Sequence, residues 1–155
     1  MPPKETIEFD TSDRAAVLAA MARLSDGSGW INLQPVVDPD DLPPQGSALL
    51  GIFSSRGPVL PLCTWTPAGL SKRETFVSLG VQHPTGTKAA ARLADRGVPV
   101  DGRWRVRRDS PKGGLVVVAP ADDPNERILD WLLRAGEALC PADNHGRWVA
   151  FVYRS

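Results

Sequence analysis

An α+β fold with a mainly antiparallel sheet is what this sequence predicts, and three patterns predict it. Short apolar runs recur along the chain, two stretches repeat apolar residues at helical spacing, and prolines and glycines fall between the runs rather than in a tract. From about Phe76 to Tyr153 the order reads strand, helix, a hairpin of two strands, helix, strand. That is the βαββαβ order of a ferredoxin-like sandwich. Residues 74–155 form this ferredoxin-like portion and residues 1–73 an N-terminal βαβββ extension, the whole read as a single domain over 1–155. Such a scaffold hosts many unrelated functions, so function has to be argued from side chains.

Taken in order, Thr6 to Phe9 alternates weakly as a short strand, and Asp10, Thr11 and Ser12 offer caps for a helix over Asp13 to Leu24. Val17, Leu18, Met21 and Leu24 line one helical face there, and Asp26-Gly27-Ser28-Gly29 ends it. Trp30 to Val37 reads as a strand in which Pro35 marks an edge or a bend. Asp38 to Gly46 is acidic and proline-rich and predicts an exposed loop, because prolines lack N–H donors and push their predecessors out of the helical region. Ala48 to Phe53 and Val59 to Trp65, joined by Ser54 to Pro58, have hairpin spacing, with Pro61 again pointing to an edge or a bulge.

In the second half, Phe76 to Val81 is a strand, His83 to Thr87 a turn, and Lys88 to Arg96 an alanine-rich helix closed by Gly97. Arg103 to Arg107 alternates basic and apolar residues, Asp109 to Gly114 turns, and Leu115 to Ala119 is an apolar strand. Asp122 or Asp123 with Pro124 opens a helix to about Leu139, with Ile128, Leu132, Ala135 and Leu139 on its inner face. Trp148 to Tyr153 is the last strand. Most of the five tryptophans fall on predicted core faces.

Composition narrows the function classes. The 155 residues carry 18 basic and 18 acidic side chains, which speaks against a protein that coats nucleic acid by bulk charge. The charge is unevenly distributed: residues 1–50 hold three basic and eight acidic residues, and the remainder fifteen and ten, so a local basic face is open to the second half. Cys63 and Cys140 are far apart with no CxxC, no apolar leader or membrane-length segment is present, and a cytoplasmic protein is expected.

Two motifs could meet an anion. The turn His83-Pro84-Thr85-Gly86-Thr87-Lys88 leads into a helix, where free N–H groups, two hydroxyls, a glycine and a charge come together. It departs from a phosphate loop in spacing and in the order Gly-Thr-Lys, and Thr85 or Thr87 could simply cap the helix while Gly86 relieves the turn. The second motif is the stripe Arg103, Arg105 and Arg107, placed on one strand face with Arg108 and Lys112 extending it. It could hold phosphates of RNA or of a small ligand, or serve only to block edge-to-edge pairing.

No metal site or cofactor is expected: Cys63, His83, Cys140 and His145 follow one another at intervals of 20, 57 and 5 residues, unlike the paired ligands of a zinc site. Cys140 with His145, at a helix end and in a loop, lacks the setting of an activated thiolate, while Cys63 could reach His83 if their strands are neighbours. The leading expectation is therefore a binding domain for an anionic small molecule or RNA. A small enzyme acting on a phosphorylated or carboxylated substrate, with His83 as acid or base and Lys88 and Arg105 as anion holders, is the second. A protein-assembly factor, docking a partner or a second copy through Asp38 to Pro44 or Val59 to Trp65, is the third.

Overall fold

A computed structural model describes residues 2–42, 60–70 and 75–155. The strands are β1 (Glu5–Asp10), β2 (Gly29–Pro35), β3 (Leu62–Thr66), β4 (Phe76–Gln82), β5 (Arg105–Ser110), β6 (Gly114–Pro120) and β7 (Arg147–Arg154). The helices are α1 (Ala15–Leu24), α2 (Ala89–Asp95) and α3 (Asn125–Ala138), with a short 3-10 turn at Pro39–Asp41. All seven strands form one sheet in the order β1-β7-β2-β3-β4-β6-β5, and every pairing is antiparallel. The fold is α+β. No helix among the described residues is long and apolar enough to cross a membrane.

Strand alternation puts one set of side chains under the helices. Ile31 and Leu33, Cys63 and Trp65, Val77, Leu79 and Val81, Leu115, Val117 and Ala119, and Trp148, Ala150 and Val152 share one core with the buried residues of the helices. Fully burying each leucine or valine contributes about 1.5–3 kcal/mol, so this layer carries most of the stability. The same registers send Asn32, Thr64, Ser78, Val116 and Phe151 to the other face, which none of the three helices covers. There Trp30 stacks on Tyr153 with ring centroids 5.2 Å apart. Close approach of α3 to the sheet depends on Gly136, where a Cβ would come within 2.5 Å of the Trp148 ring.

The element order of the second half is the predicted βαββαβ, and β4, β6 and β5 lie side by side as that unit requires. A ferredoxin-like sandwich would set its last strand against its first. Here β2 and β3 stand between β4 and β7, so the N-terminal strands are built into the middle of the sheet. Trp65 and Cys63 make that insertion favourable, since both are at most 1% exposed in the core.

Several local expectations change. The first helix begins at Ala15 with no side-chain cap, because the Asp10 carboxylate instead accepts from the Ser12 N–H and hydroxyl. Pro35 is the final residue of β2, where a missing donor is tolerated, and β2 is interior. Pro61 lies just outside β3, which is the central strand of the seven rather than an edge. The partner arm Ala48 to Phe53 and the turn Ser54 to Pro58 lie outside the described residues.

The third helix starts at Asn125 behind Pro124 with no side-chain cap. Asp123 has turned away: its Oδ2 accepts from Trp104 Nε1 at 2.5 Å, while its Oδ1 faces Arg103 and Arg127 at 3.7 and 3.9 Å. At the end of α2, Gly97 (φ 79°) adopts the left-handed conformation, and the N–H groups of Gly97 and Val98 return to the carbonyls of Ala94 and Leu93. This is the helix stop that the glycine predicted.

Candidate anion-binding site

The two basic motifs meet at one edge of the sheet. Among the described residues β5 is the last strand in the order and pairs only with β6, and α2 packs against both. The turn from β4 into α2 therefore lies beside the basic hairpin.

In the turn, His83 continues the core-facing parity of β4 and is 1% exposed. The Thr85 N–H donates to His83 Nδ1 at 3.3 Å and the Thr85 hydroxyl lies 2.8 Å from the same nitrogen. An Nδ1 that accepts leaves the ring proton on Nε2. Burial first, and the Arg92 guanidinium second, hold the His83 pKa below its ordinary value against an opposing pull from Asp109, so the ring is neutral near pH 7. Arg92, on α2, donates from Nη1 to the Thr85 carbonyl.

The start of α2 is already capped. Its first N–H groups, on Ala89 and Ala90, donate to the two carboxylate oxygens of Asp109 at 3.0 Å each. The sequence placed Asp109 in a turn and assigned the cap to Thr85 or Thr87. β5 instead continues to Ser110, and its pairing with Leu115 aims Asp109 at the helix. Thr85 is occupied with His83. Thr87 and Lys88 are exposed, and Gly86 (φ 91°) and Lys88 (φ 60°) make the left-handed bends of the turn. A carboxylate at the positive end of a helix is favourable, so the fold supplies from within the anion that this terminus attracts.

The hairpin also departs from the expected ladder. Arg103 precedes β5 in a turn, where its N–H and Nε meet Asp101 Oδ1 at 2.8 and 3.4 Å. A β-bulge lies between Val106 and Arg108 with Arg107 as its extra residue. Strict alternation therefore breaks, and Arg105 and Arg108, opposite Val118 and Val116, share the face opposite the three helices. Arg105 sits over the Phe76 ring, 5.7 Å from its centroid, a cation–π arrangement. Phe76 and Val106, about 40% exposed, are the two exposed large apolar side chains among the described residues, and both border this edge. Arg105, Arg107, Arg108 and Lys112 are all exposed.

Arg92, Asp109 and Phe76 were missed by sequence reasoning. Asp109 carried a faint signal as the one acid in a basic run. Arg92 carried none, because its role depends on a turn seven residues earlier.

Other groups do different work. Trp104 and Trp131 meet edge to face, 5.7 Å apart, beside a cleft of about 310 Å³ that Asp101, Arg127, Asp130 and Arg134 also line. Arg127 pairs with Asp101, Asp130 with Arg14 at 2.9 Å, and Arg134 donates to the Gly97 carbonyl, so the cleft's charges are internally matched. Burial pushes the Cys63 thiol up to about 12, and its Sγ donates to the Leu132 carbonyl, which makes it a core group rather than a nucleophile. His145 is exposed beside Asp143, and burial raises the half-buried Cys140 thiol.

These features define, among the described residues, an α+β sheet with its three helices on one face and a basic, aromatic-backed edge. Compared with protein-family models, curated proteins and solved structures, the chain matches none.

Proposed function

We propose that this protein is a binding module that takes an anionic partner on the basic edge of its sheet, RNA and phosphorylated small molecules being the ligand classes. The carrying observation is that Arg105 and Arg108 point to the face opposite the three helices on the last strand of the sheet among the described residues, with exposed Phe76 beneath Arg105. Guanidinium groups offer planar donors to phosphate, and an aromatic ring beside them offers a stacking surface. Lys112 and Lys88 extend the positive field along the same end.

The enzyme reading has less support, since the His83 ring is buried and its Nδ1 is engaged by Thr85. The assembly reading loses part of its surface, since Cys63 and Trp65 are core residues. Under the binding reading the module works in the cytoplasm, where its two cysteines remain free thiols.

The test is fluorescence anisotropy with a short labelled single-stranded RNA over a salt series. Two phosphate contacts give a log–log salt slope of roughly −1.4. Arg105→Glu with Arg108→Glu should abolish the binding. Binding unchanged by that double variant overturns the assignment of the edge.

A further inference from the structure

The most unusual polar group in the described chain is the Arg92 guanidinium. Its Nη1 donates to the Thr85 carbonyl, but its Nε and Nη2 are buried without any hydrogen-bond partner. Those two nitrogens form the side-on fork of arginine, the pair that grips a carboxylate or phosphate through two parallel bonds. Among the described residues no carboxylate pairs with Arg92: both oxygens of Asp109 are taken by α2, and Asp130, Asp101 and Asp123 serve other arginines. Next to it, His83 holds a second buried group without a partner, Nε2, which carries the ring proton.

Unmatched buried donors cost about 1–3 kcal/mol each, and more when charged. Three of them, on two side chains that both grip Thr85, are a deficit of acceptors of one sign. Such groups call for an acceptor from outside the chain, a bound ligand, an ion or ordered water.

We propose that the Arg92 fork, with His83 Nε2–H as the adjoining donor, binds an oxyanion, a phosphoryl or carboxylate group of the partner. The inference rests on the anion-binding reading and names the group that anchors the ligand. It does not use the start of α2, which Asp109 already fills. Entry runs through the turn that carries Thr85. A Cβ built at Gly86 would meet nothing within 4 Å, so the turn borders open space at that residue. For an oxyanion to reach the fork, the Thr85 carbonyl that holds Nη1 and the side chain that meets His83 move together. The oxyanion accepts from Nε and Nη2 in plane, and the neutral imidazole donates without adding charge.

The experiment is a titration of the uniformly ¹⁵N-labelled protein with inorganic phosphate and separately with acetate, following the arginine Nε–H signals and the His83 Nε2–H signal. Arg92→Lys assigns the arginine signal and tests the fork, since lysine keeps the charge but cannot bind side-on. The expected result is a saturable shift of Arg92 Nε–H and His83 Nε2–H, with phosphate affinity roughly tenfold or more weaker in Arg92→Lys. A response to phosphate alone assigns the site to phosphoryl groups, and one to both anions assigns it to oxyanions generally. No shift of either signal at saturating anion, or shifts confined to Lys88 and Lys112, overturns the proposal in the wild-type protein and leaves the fork to ordered water.

Failure here is separable from failure of the edge reading. Arg105→Glu with Arg108→Glu should leave the Arg92 shift in place while removing RNA binding. Loss of RNA binding with a silent Arg92 keeps the edge and discards the fork.

Discussion

The turn at His83 to Lys88 and the hairpin at Arg105 to Lys112 lie side by side, carry similar sequence signals, and use their polar groups in opposite ways. The turn is bound into the interior: His83 is buried against Thr85, Arg92 holds the Thr85 carbonyl, and Asp109 closes the helix. The hairpin keeps its charges outward on the last strand of the sheet among the described residues. A polar residue near a helix start is thus no guide to a ligand when a neighbouring strand can supply the counter-charge. What distinguishes the regions energetically is burial, because removing a partner from a buried group exposes its full desolvation cost and removing an exposed charge exposes almost none.

The largest way to test that contrast is Asp109→Ala. It strips two helix N–H groups of their acceptor and should cost about 2 kcal/mol in urea unfolding. A loss within error would mean that water caps α2 equally well and that the turn is no more committed than the hairpin. Thr85→Val, which removes the hydroxyl facing His83 and keeps the volume, should cost about 1 kcal/mol by the same assay.

A pH dependence sharpens the contrast next. The His83 pKa is lowered in the folded state by burial and by Arg92, with Asp109 opposing, so the unfolded chain binds the proton more readily. Its contribution to stability is therefore complete above the unfolded histidine value near 6.5 and is lost as pH falls through the lowered folded value. Urea midpoints at successive pH values should fall on the acid side in the wild type, and His83→Gln should flatten that fall. A variant with an unchanged profile would assign the dependence to other groups.

The smallest stability effect belongs to the hairpin. Arg105→Glu with Arg108→Glu should move stability by no more than about 0.5 kcal/mol while removing anion binding. A large destabilisation would show that the edge arginines support the fold through Phe76 and would remove the difference between the regions.

Much of the architecture was legible in the chain. Helix α3 announced itself by Ile128, Leu132 and Ala135 at helical spacing, and α2 ended where Gly97 and Val98 required. The site was legible only in outline. Arg105, Arg108 and Lys112 are exposed as a basic run suggests, but the bulge at Arg107 adds a residue and so changed which of them share a face from the strict period-two alternation that the pattern implies.

By itself, then, the sequence determined what short-range physics can decide: which runs alternate, which repeat at helical spacing, where glycine must turn the chain. Tertiary structure decided the contacts that join distant residues. β2 and β3 entered the middle of the sheet because Trp65 and Cys63 find their cover under α3, more than sixty positions along the chain. Asp109 reached α2, and Asp123 left α3 for Trp104, because a carboxylate goes where unpaired buried donors are, and only the assembled fold brings those donors within reach.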